Sequence, residues 1–324
     1  MVSIRDVAKH ASVSVATVSR VLNDKGYVSV ETRKKVEAAI AELNYRPNEV
    51  ARSLFKKQSK TLGLILPDIM NPFFPELARA IEDTAAKLGY TVILCNSDED
   101  EEKAQRYLDI LLQKYVDGII LASNTIREKT IRELNIPVVC IDREISKDIP
   151  TIVVDNKKGA RTATQFLKDK GRKRIAHIRG PFDVSNANER CEGYLGIVSS
   201  EDWFTESYII NGNYHMETAT KVALALLQSH PEVDGIFAAN DTMAIGAMKA
   251  AYQHGLKVPE DISIIGFDGI ALAKASIPEL TTIEQPLYAL GQKAAKVLIQ
   301  LIEGQEIEKS FHQFDVQLVE REST

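Results

Sequence analysis

The sequence predicts a small all-α head of helix-turn-helix type, followed by an α/β body of two lobes, each a doubly wound parallel sheet. Three observations lead there. In the first 45 positions apolar residues recur at helical spacing in three short runs. From residue 61 onward, short apolar runs alternate with amphipathic segments, the pattern of parallel strands joined by helical crossovers. Charge is unevenly shared as well: residues 1–60 carry 12 Lys+Arg and 6 Asp+Glu, so a head of +6 precedes a remainder of −11 within a net charge of −5. A basic module on an acidic body suits nucleic-acid binding joined to regulation.

The head begins with Ile4, Val7, Ala8 and Ala11, which lie on one face of a short helix. Ser12-Val13-Ser14 interrupts it, and Ser14 is a suitable N-cap for a second helix from Val15 to Asn23. Val18, Val21 and Leu22 of that helix face inward, leaving Ala16, Thr17, Ser19 and Arg20 outside. A third helix follows Ser29, with Val36, Ala39, Ile40 and Leu43 inward. Two short helices joined by a tight turn and braced by a third form a DNA-reading motif. Pro47 ends the third helix, and Asn48 can cap a further two-turn helix from Glu49 to about Lys56. So short a helix needs outside support to be stable, here a twin chain and DNA. Leu54 and Phe55 are apolar on an otherwise basic stretch, the kind of side chain that can wedge between base steps.

These residues carry a resemblance. Ile4-Arg5-Asp6-Val7-Ala8, the run from Val13 to Asn23, and Asn44-Tyr45-Arg46-Pro47-Asn48 with Ala51-Arg52-Ser53-Leu54 look like the head and hinge of the lactose-repressor (LacI/GalR) family. The resemblance implies that Val15, Ala16 and Arg20 read bases in the major groove and that Leu54 intercalates at the operator centre. Candidate DNA contacts are Ser14, Val15, Ala16, Thr17, Ser19, Arg20, Asn23, Tyr45, Asn48, Arg52 and Leu54. Arg20 can pair bidentately with guanine, while Val15 and Ala16 offer apolar contact only. Ser12 departs from the Gly or Asn frequent at that turn and should cost about 1 kcal/mol in a left-handed backbone.

In the body the expected strands are Thr61–Leu66, Thr91–Cys95, Gly118–Leu121, Pro137–Ile141, Thr151–Val154, Arg174–Ile178, Ser207–Ile210, Gly235–Ala239, Ile262–Phe267, Thr281–Glu284 and Phe314–Leu318. Helices lie between most of them, such as Phe73–Leu88, Lys157–Lys170 and Thr218–Gln228. So many strands exceed one sheet, hence two lobes. Ligands of such sheets bind beyond the carboxyl ends of the strands. The residues there are Asp68, Asn71-Pro72-Phe73-Phe74, Asp142-Arg143, Asn240-Asp241, Asp268 and Gln285. Each acid alone reads as a helix cap. Together, carboxylates, amides, Arg and rings suit the hydroxyls and C–H faces of a small neutral polyol.

The body is also similar to periplasmic sugar-binding proteins, the ribose-binding protein in particular. Asn71-Pro72-Phe73-Phe74, Ile141-Asp142-Arg143, Asn188-Glu189-Arg190-Cys191-Glu192-Gly193, Ala239-Asn240-Asp241, Gly266-Phe267-Asp268-Gly269 and Glu284-Gln285-Pro286 carry that likeness. It implies that Phe73, Phe74 and Tyr214 sandwich the sugar ring, and that Asn71, Asp142, Arg143, Arg190, Asn240, Asp268 and Gln285 complete the ligand site. Ribose is the effector so implied, with a hexose, a nucleobase or a phosphorylated sugar left open; induction is expected over corepression because a catabolic sugar would usefully lift repression of its own operon. Domain bounds follow as head 1–46, hinge 47–60 and body 61–324. The N-lobe takes about 61–155 and 287–314, the C-lobe about 156–286 and 315–324.

Several classes are set aside. The sequence has no GxSxG, P-loop, HExxH or strand-borne GxGxxG, so neither an enzyme nor a bound cofactor is expected. Three widely spaced cysteines suit a reducing compartment rather than a disulfide framework. No apolar run of about 18 residues exists, so no membrane partner is expected. The first residues lack the pattern of an export signal, and the expected location is the cytoplasm. The expectation is a homodimeric repressor that binds a palindromic operator under control of a small sugar. A phosphocarrier protein as corepressor, and a sugar receptor without a DNA role, are the rivals.

Overall fold

The computed structural model describes residues 2–24, 26–45, 58–122, 125–143 and 145–324. The chain divides into two units, Met1–Ser59 and Lys60–Thr324.

In the first unit, α1 (Ile4–His10), α2 (Val15–Asn23) and α3 (Val30–Glu42) each start at a serine cap: Ser3, Ser14 and Ser29. Each such cap contributes about 1 kcal/mol by satisfying a first-turn N–H. Ser3 and Asp6 cap reciprocally. Val7, Ala8, Val18, Val21, Val36 and Ala39 form the core of the unit. Ser12 stands just past the end of α1 with φ 52°. There the Ser12 and Val13 N–H groups donate back to the Lys9 and Ala8 carbonyls, a Schellman closure that normally selects glycine. Asn44 closes α3 in the same way, with φ 47°. The hinge helix expected over Glu49 to about Lys56, with Asn48, Arg52 and Leu54, lies outside the described residues.

The second unit holds two sheets, each six-stranded among the described residues. The first runs β11-β5-β4-β3-β1-β2 and is parallel throughout. Its strands are β1 (Thr61–Leu66), β2 (Thr91–Asn96), β3 (Gly118–Leu121), β4 (Val138–Ile141), β5 (Thr151–Val154) and β11 (Phe311–Phe314). Helices α4 (Phe73–Lys87), α5 (Glu101–Gln113), α6 (Glu128–Arg132) and α12 (Leu287–Ile302) belong to it. The second runs β12-β10-β9-β8-β6-β7, from β6 (Ile175–Arg179), β7 (Ile209–Asn211), β8 (Gly235–Ala238), β9 (Ser263–Asp268), β10 (Thr281–Glu284) and β12 (Gln317–Val319). Its helices are α7 (Asn156–Asp169), α8 (Ser185–Val198), α9 (Met216–Ser229), α10 (Asp241–Gln253) and α11 (Ala271–Ala275). Central strands such as β3, β4, β8 and β9 are buried along their whole length, as strands covered on both faces must be.

Two expectations need correction. Phe314–Leu318 is not one strand: Phe314 ends β11 in the first sheet, and Gln317 begins β12 in the second. Strand β12 is also antiparallel to β10, with Gln317 opposite Glu284. The topology explains this. A parallel β11 ends on the side where the chain changes lobe, so after two residues it enters the second sheet at its carboxyl edge and must run backwards. The strand expected over Ser207–Ile210 likewise begins as a 3₁₀ turn, Glu206–Tyr208, before β7.

Candidate functional site

On the head, α2 carries the surface that the sequence pointed to. Val15, Ala16 and Arg20 are exposed, and 41% exposure is high for a valine, while Thr17 and Ser19 are half-buried. Ser14 serves the helix itself, its Oγ accepting from the Thr17 N–H at 3.1 Å. Asn23 turns its amide back to the Ser19 carbonyl at 2.8 Å. Tyr45 packs against the head core. The outward surface of α2 is therefore apolar at its start and cationic toward its end, fitted to a groove edge and a base or phosphate.

In the body, a cavity of about 400 Å³ opens beyond the carboxyl ends of the strands of both sheets. Eight of the expected residues line it: Asn71, Phe73, Phe74, Asp142, Arg190, Tyr214, Asn240 and Asp268. The other two do not. Arg143 turns aside, its Nη2 donating to the Ile126 carbonyl at 2.8 Å. Gln285 stands behind Asp268, its Nε2 donating to Oδ1 at 2.7 Å.

Local structure fixes each group. Phe73 and Phe74 meet edge to face, with centroids 5.0 Å apart at the start of α4, where the Asn71 Oδ1 accepts from the Phe73 N–H. Phe73 is largely core, and Phe74 keeps more surface. Asn240 caps α10, its Oδ1 accepting from the Met243 N–H at 2.8 Å. Four lining residues have left-handed or related backbones: Glu99 (φ 57°), Asp142 (φ 69°), Tyr214 (φ 61°) and Asp268 (φ 117°). Strain of this kind gathers at binding sites. The Tyr214 ring lies against Gly180, where any Cβ would collide with it.

Arg190 organises the floor. Its side chain is 3% exposed, and its Nη1 lies 3.3 Å from Asp268 Oδ1. The same nitrogen donates to the Ala239 carbonyl at 2.6 Å, and Nε donates to Asn156 Oδ1 at 2.9 Å. The last bond depends on close packing of α7 on α8. A Cβ on Gly193 would stand 2.5 Å from the Lys157 carbonyl oxygen. The guanidinium also covers the Phe267 ring at 3.8 Å. Burial pushes the Asp142 carboxyl up to about 6; the Arg190 charge and the Asn186 amide pull it down, and Glu189 pushes it up. Asp268 is raised too, chiefly by burial, against the pull of Arg190.

Strand-end reasoning missed Asn186, Glu99, Asp183 and His215, and it named Asp68 and Asp241 as strand-end residues without giving them a place in the ligand set. Asn186 lies one helical turn before Arg190 on the cavity side of α8, and this i−4 spacing from a candidate cation is the signal that could have found it. Asp241 accepts from the Gly269 and Ile270 N–H groups at 2.7 and 2.9 Å and from Thr282 at 2.5 Å, shaping the turn that presents Asp268. Asp68, Glu99, Asp183 and His215 line the cavity as well. Glu99 is raised by burial first; Asp68 and Asp183 add to the rise and His215 opposes it.

Two family profiles match this chain. "Bacterial regulatory proteins, lacI family" covers residues 3–48, and "Periplasmic binding proteins and sugar binding domain of LacI family" covers residues 59–321. The chain belongs to the LacI family. It is 51% identical to the "Ribose operon repressor" of Halalkalibacterium halodurans, over all of this chain and 97% of that one. Among solved structures it resembles the lac repressor dimer bound to operator and the anti-inducer ONPF (TM-score 0.89, 32% identity, 99% and 98% of the two chains). It also resembles a LacI family transcriptional regulator from Enterococcus faecium with bound ribose (TM-score 0.73, 31% identity, 82% and 98% coverage). Like its relatives, this LacI-family chain pairs a helix-turn-helix head with a two-lobed α/β body.

Proposed function

We propose that this protein is a repressor of a ribose-utilisation operon, and that D-ribose in the body cavity acts as inducer. Two heads of a homodimer would each read half of a near-palindromic operator, since a two-fold protein matches two-fold DNA. The observation that carries the reading is the cavity floor. A buried Arg190, bonded through Nε and Nη1, holds Asp268 beside Asp142 and Asn240, with Phe74 and Tyr214 at the walls. That set accepts from and donates to hydroxyls while covering C–H faces, and about 400 Å³ falls within the usual range for small-molecule sites. Full-length kinship with ribose operon repressors supports the same effector.

The lining is strongly acidic, with Asp68, Glu99, Glu101, Asp142, Asp183 and Asp268 facing Arg190 and His215. This favours a neutral sugar over a phosphorylated one. Cavity occupancy would change the angle between the lobes and so bias the heads. Isothermal titration of the full-length protein with D-ribose tests the effector. Saturable heat at micromolar ribose is expected; a flat titration would remove ribose from the account. Among the described residues no helix is long and apolar enough to cross a membrane. A DNA-bound role supports the expected cytoplasmic location.

A further inference from the structure

One side chain in the cavity joins the two sheets directly. Asn186, on α8, is 5% exposed, and its Nδ2 donates to Asp142 Oδ2 just past β4 of the other sheet. Its Oδ1 accepts from the Tyr214 hydroxyl at 2.7 Å. The direction of this chain is set by chemistry. An ionised carboxylate only accepts, so the NH₂ must face Asp142 and the carbonyl oxygen must face the tyrosine.

We propose that Asn186 is a positioning residue for the effector: it ties the lobes across the cavity and holds Asp142 oriented to accept a sugar hydroxyl. The inference rests on the reading of the cavity as the effector site. Asn186 fixes one Asp142 oxygen, and the other can accept from the ligand. It fixes the Tyr214 hydroxyl at the same time, so the ring that faces the sugar and the acid that bonds it are set by one amide. A side chain that bridges two strand-end groups also transmits a lobe movement to both.

The bond has a second consequence. Asp142 is half-buried at the cavity wall, where burial works against its charge. Among the described residues, the charged or titratable groups that bear on it are Arg190 and Glu189 from α8, Tyr214 from the loop before α9, and Asp268 from the end of β9. Only Arg190 in that set favours the ionised acid, and the Asn186 amide is the neutral donor that assists it. Without Asn186 the acid gains its proton at higher pH and ceases to be a pure acceptor.

The test is ribose calorimetry on the full-length protein from roughly pH 5 to 8, comparing wild type, Asn186→Ala and Asn186→Asp. Asn186→Ala should bind ribose about tenfold more weakly near neutrality, and its loss of affinity on acidification should begin at higher pH than in wild type. Asn186→Asp keeps the shape but sets two carboxylates against each other, which can coexist only by sharing a proton. Its affinity should rise as pH falls, the reverse of wild type. An Asn186→Ala variant with wild-type affinity, or with a uniform loss and an unmoved pH midpoint, would overturn the positioning role. So would an Asn186→Asp profile parallel to wild type, a result that stands even if the alanine variant fails to fold. Failure of wild type to bind ribose at any pH would instead refute the effector reading itself.

Discussion

Arg190 and Asp268 form a buried ion pair, Nη1 to Oδ1 3.3 Å, with side chains only 3% and 6% exposed. A charge pair sealed this way is not a strong source of net stability, but removing one partner strands the other. The pair therefore reads as a device that holds an acceptor and a donor in a fixed relation at the cavity floor. Arg190→Ala should weaken ribose binding by about 2–5 kcal/mol, measured by calorimetry. Operator binding without sugar should persist. Unchanged ribose affinity would remove Arg190 from the site.

The acidic lining makes a prediction about ligand charge. Ribose 5-phosphate should bind at least about tenfold more weakly than ribose, since each like charge within a few ångströms adds on the order of 1 kcal/mol or more at protein surfaces. The double variant Glu99→Gln with Asp183→Asn should narrow that gap while leaving ribose itself little changed. Competition between the two sugars in a thermal-shift assay reads this directly, and equal shifts would refute it.

Ser12 carries a left-handed backbone in a turn that favours glycine. Ser12→Gly should stabilise the head by about 1 kcal/mol, seen as a higher melting temperature of the head transition. A lower melting temperature would mean that the serine hydroxyl contributes more than the strain removes.

His177 is fully buried between Tyr194 and Phe237, ring centroids 5.0 and 4.8 Å away, with Nδ1 against the Phe237 carbonyl. Burial pulls its pKa from 6.5 down to about 3. The unfolded chain takes a proton that the folded chain refuses. Its contribution to stability is therefore complete above pH 6.5 and is lost as pH falls toward 3. Asp142 and Asp268 act in the opposite sense, since their raised values favour the folded state at low pH. The comparison must be between wild type and His177→Phe, which keeps the stack. Denaturant melts across that range should show a shallower acid loss in the variant; identical slopes would contradict the assignment.

Much of this was legible in one dimension. The apolar spacing from Val15 to Asn23 and its Ser14 cap correspond to α2 residue for residue, because a short amphipathic helix is a local object. The alternation of strands and helices is equally local. A change of sheet within five residues is not: Phe314 and Gln317 look like one strand because nothing in hydrophobic pattern records which lobe a residue faces. At the cavity, Asp142, Asn240 and Asp268 were visible because strand ends are. Asn186 and Asn156 were not, since they sit on helices brought alongside by packing at Gly193. Arg143 and Gln285 occupy strand ends yet do not line the cavity, because the backbone turns there decide direction and composition does not.

The central claim is that sugar in the body and operator at the heads are thermodynamically linked. Fluorescence anisotropy of a labelled near-palindromic operator, titrated with the full-length protein at fixed salt with and without saturating D-ribose, measures that linkage. The account predicts that ribose weakens operator binding by about 5- to 150-fold, the usual span of allosteric coupling. Identical operator affinity at ribose concentrations that calorimetry shows to fill the cavity would contradict it.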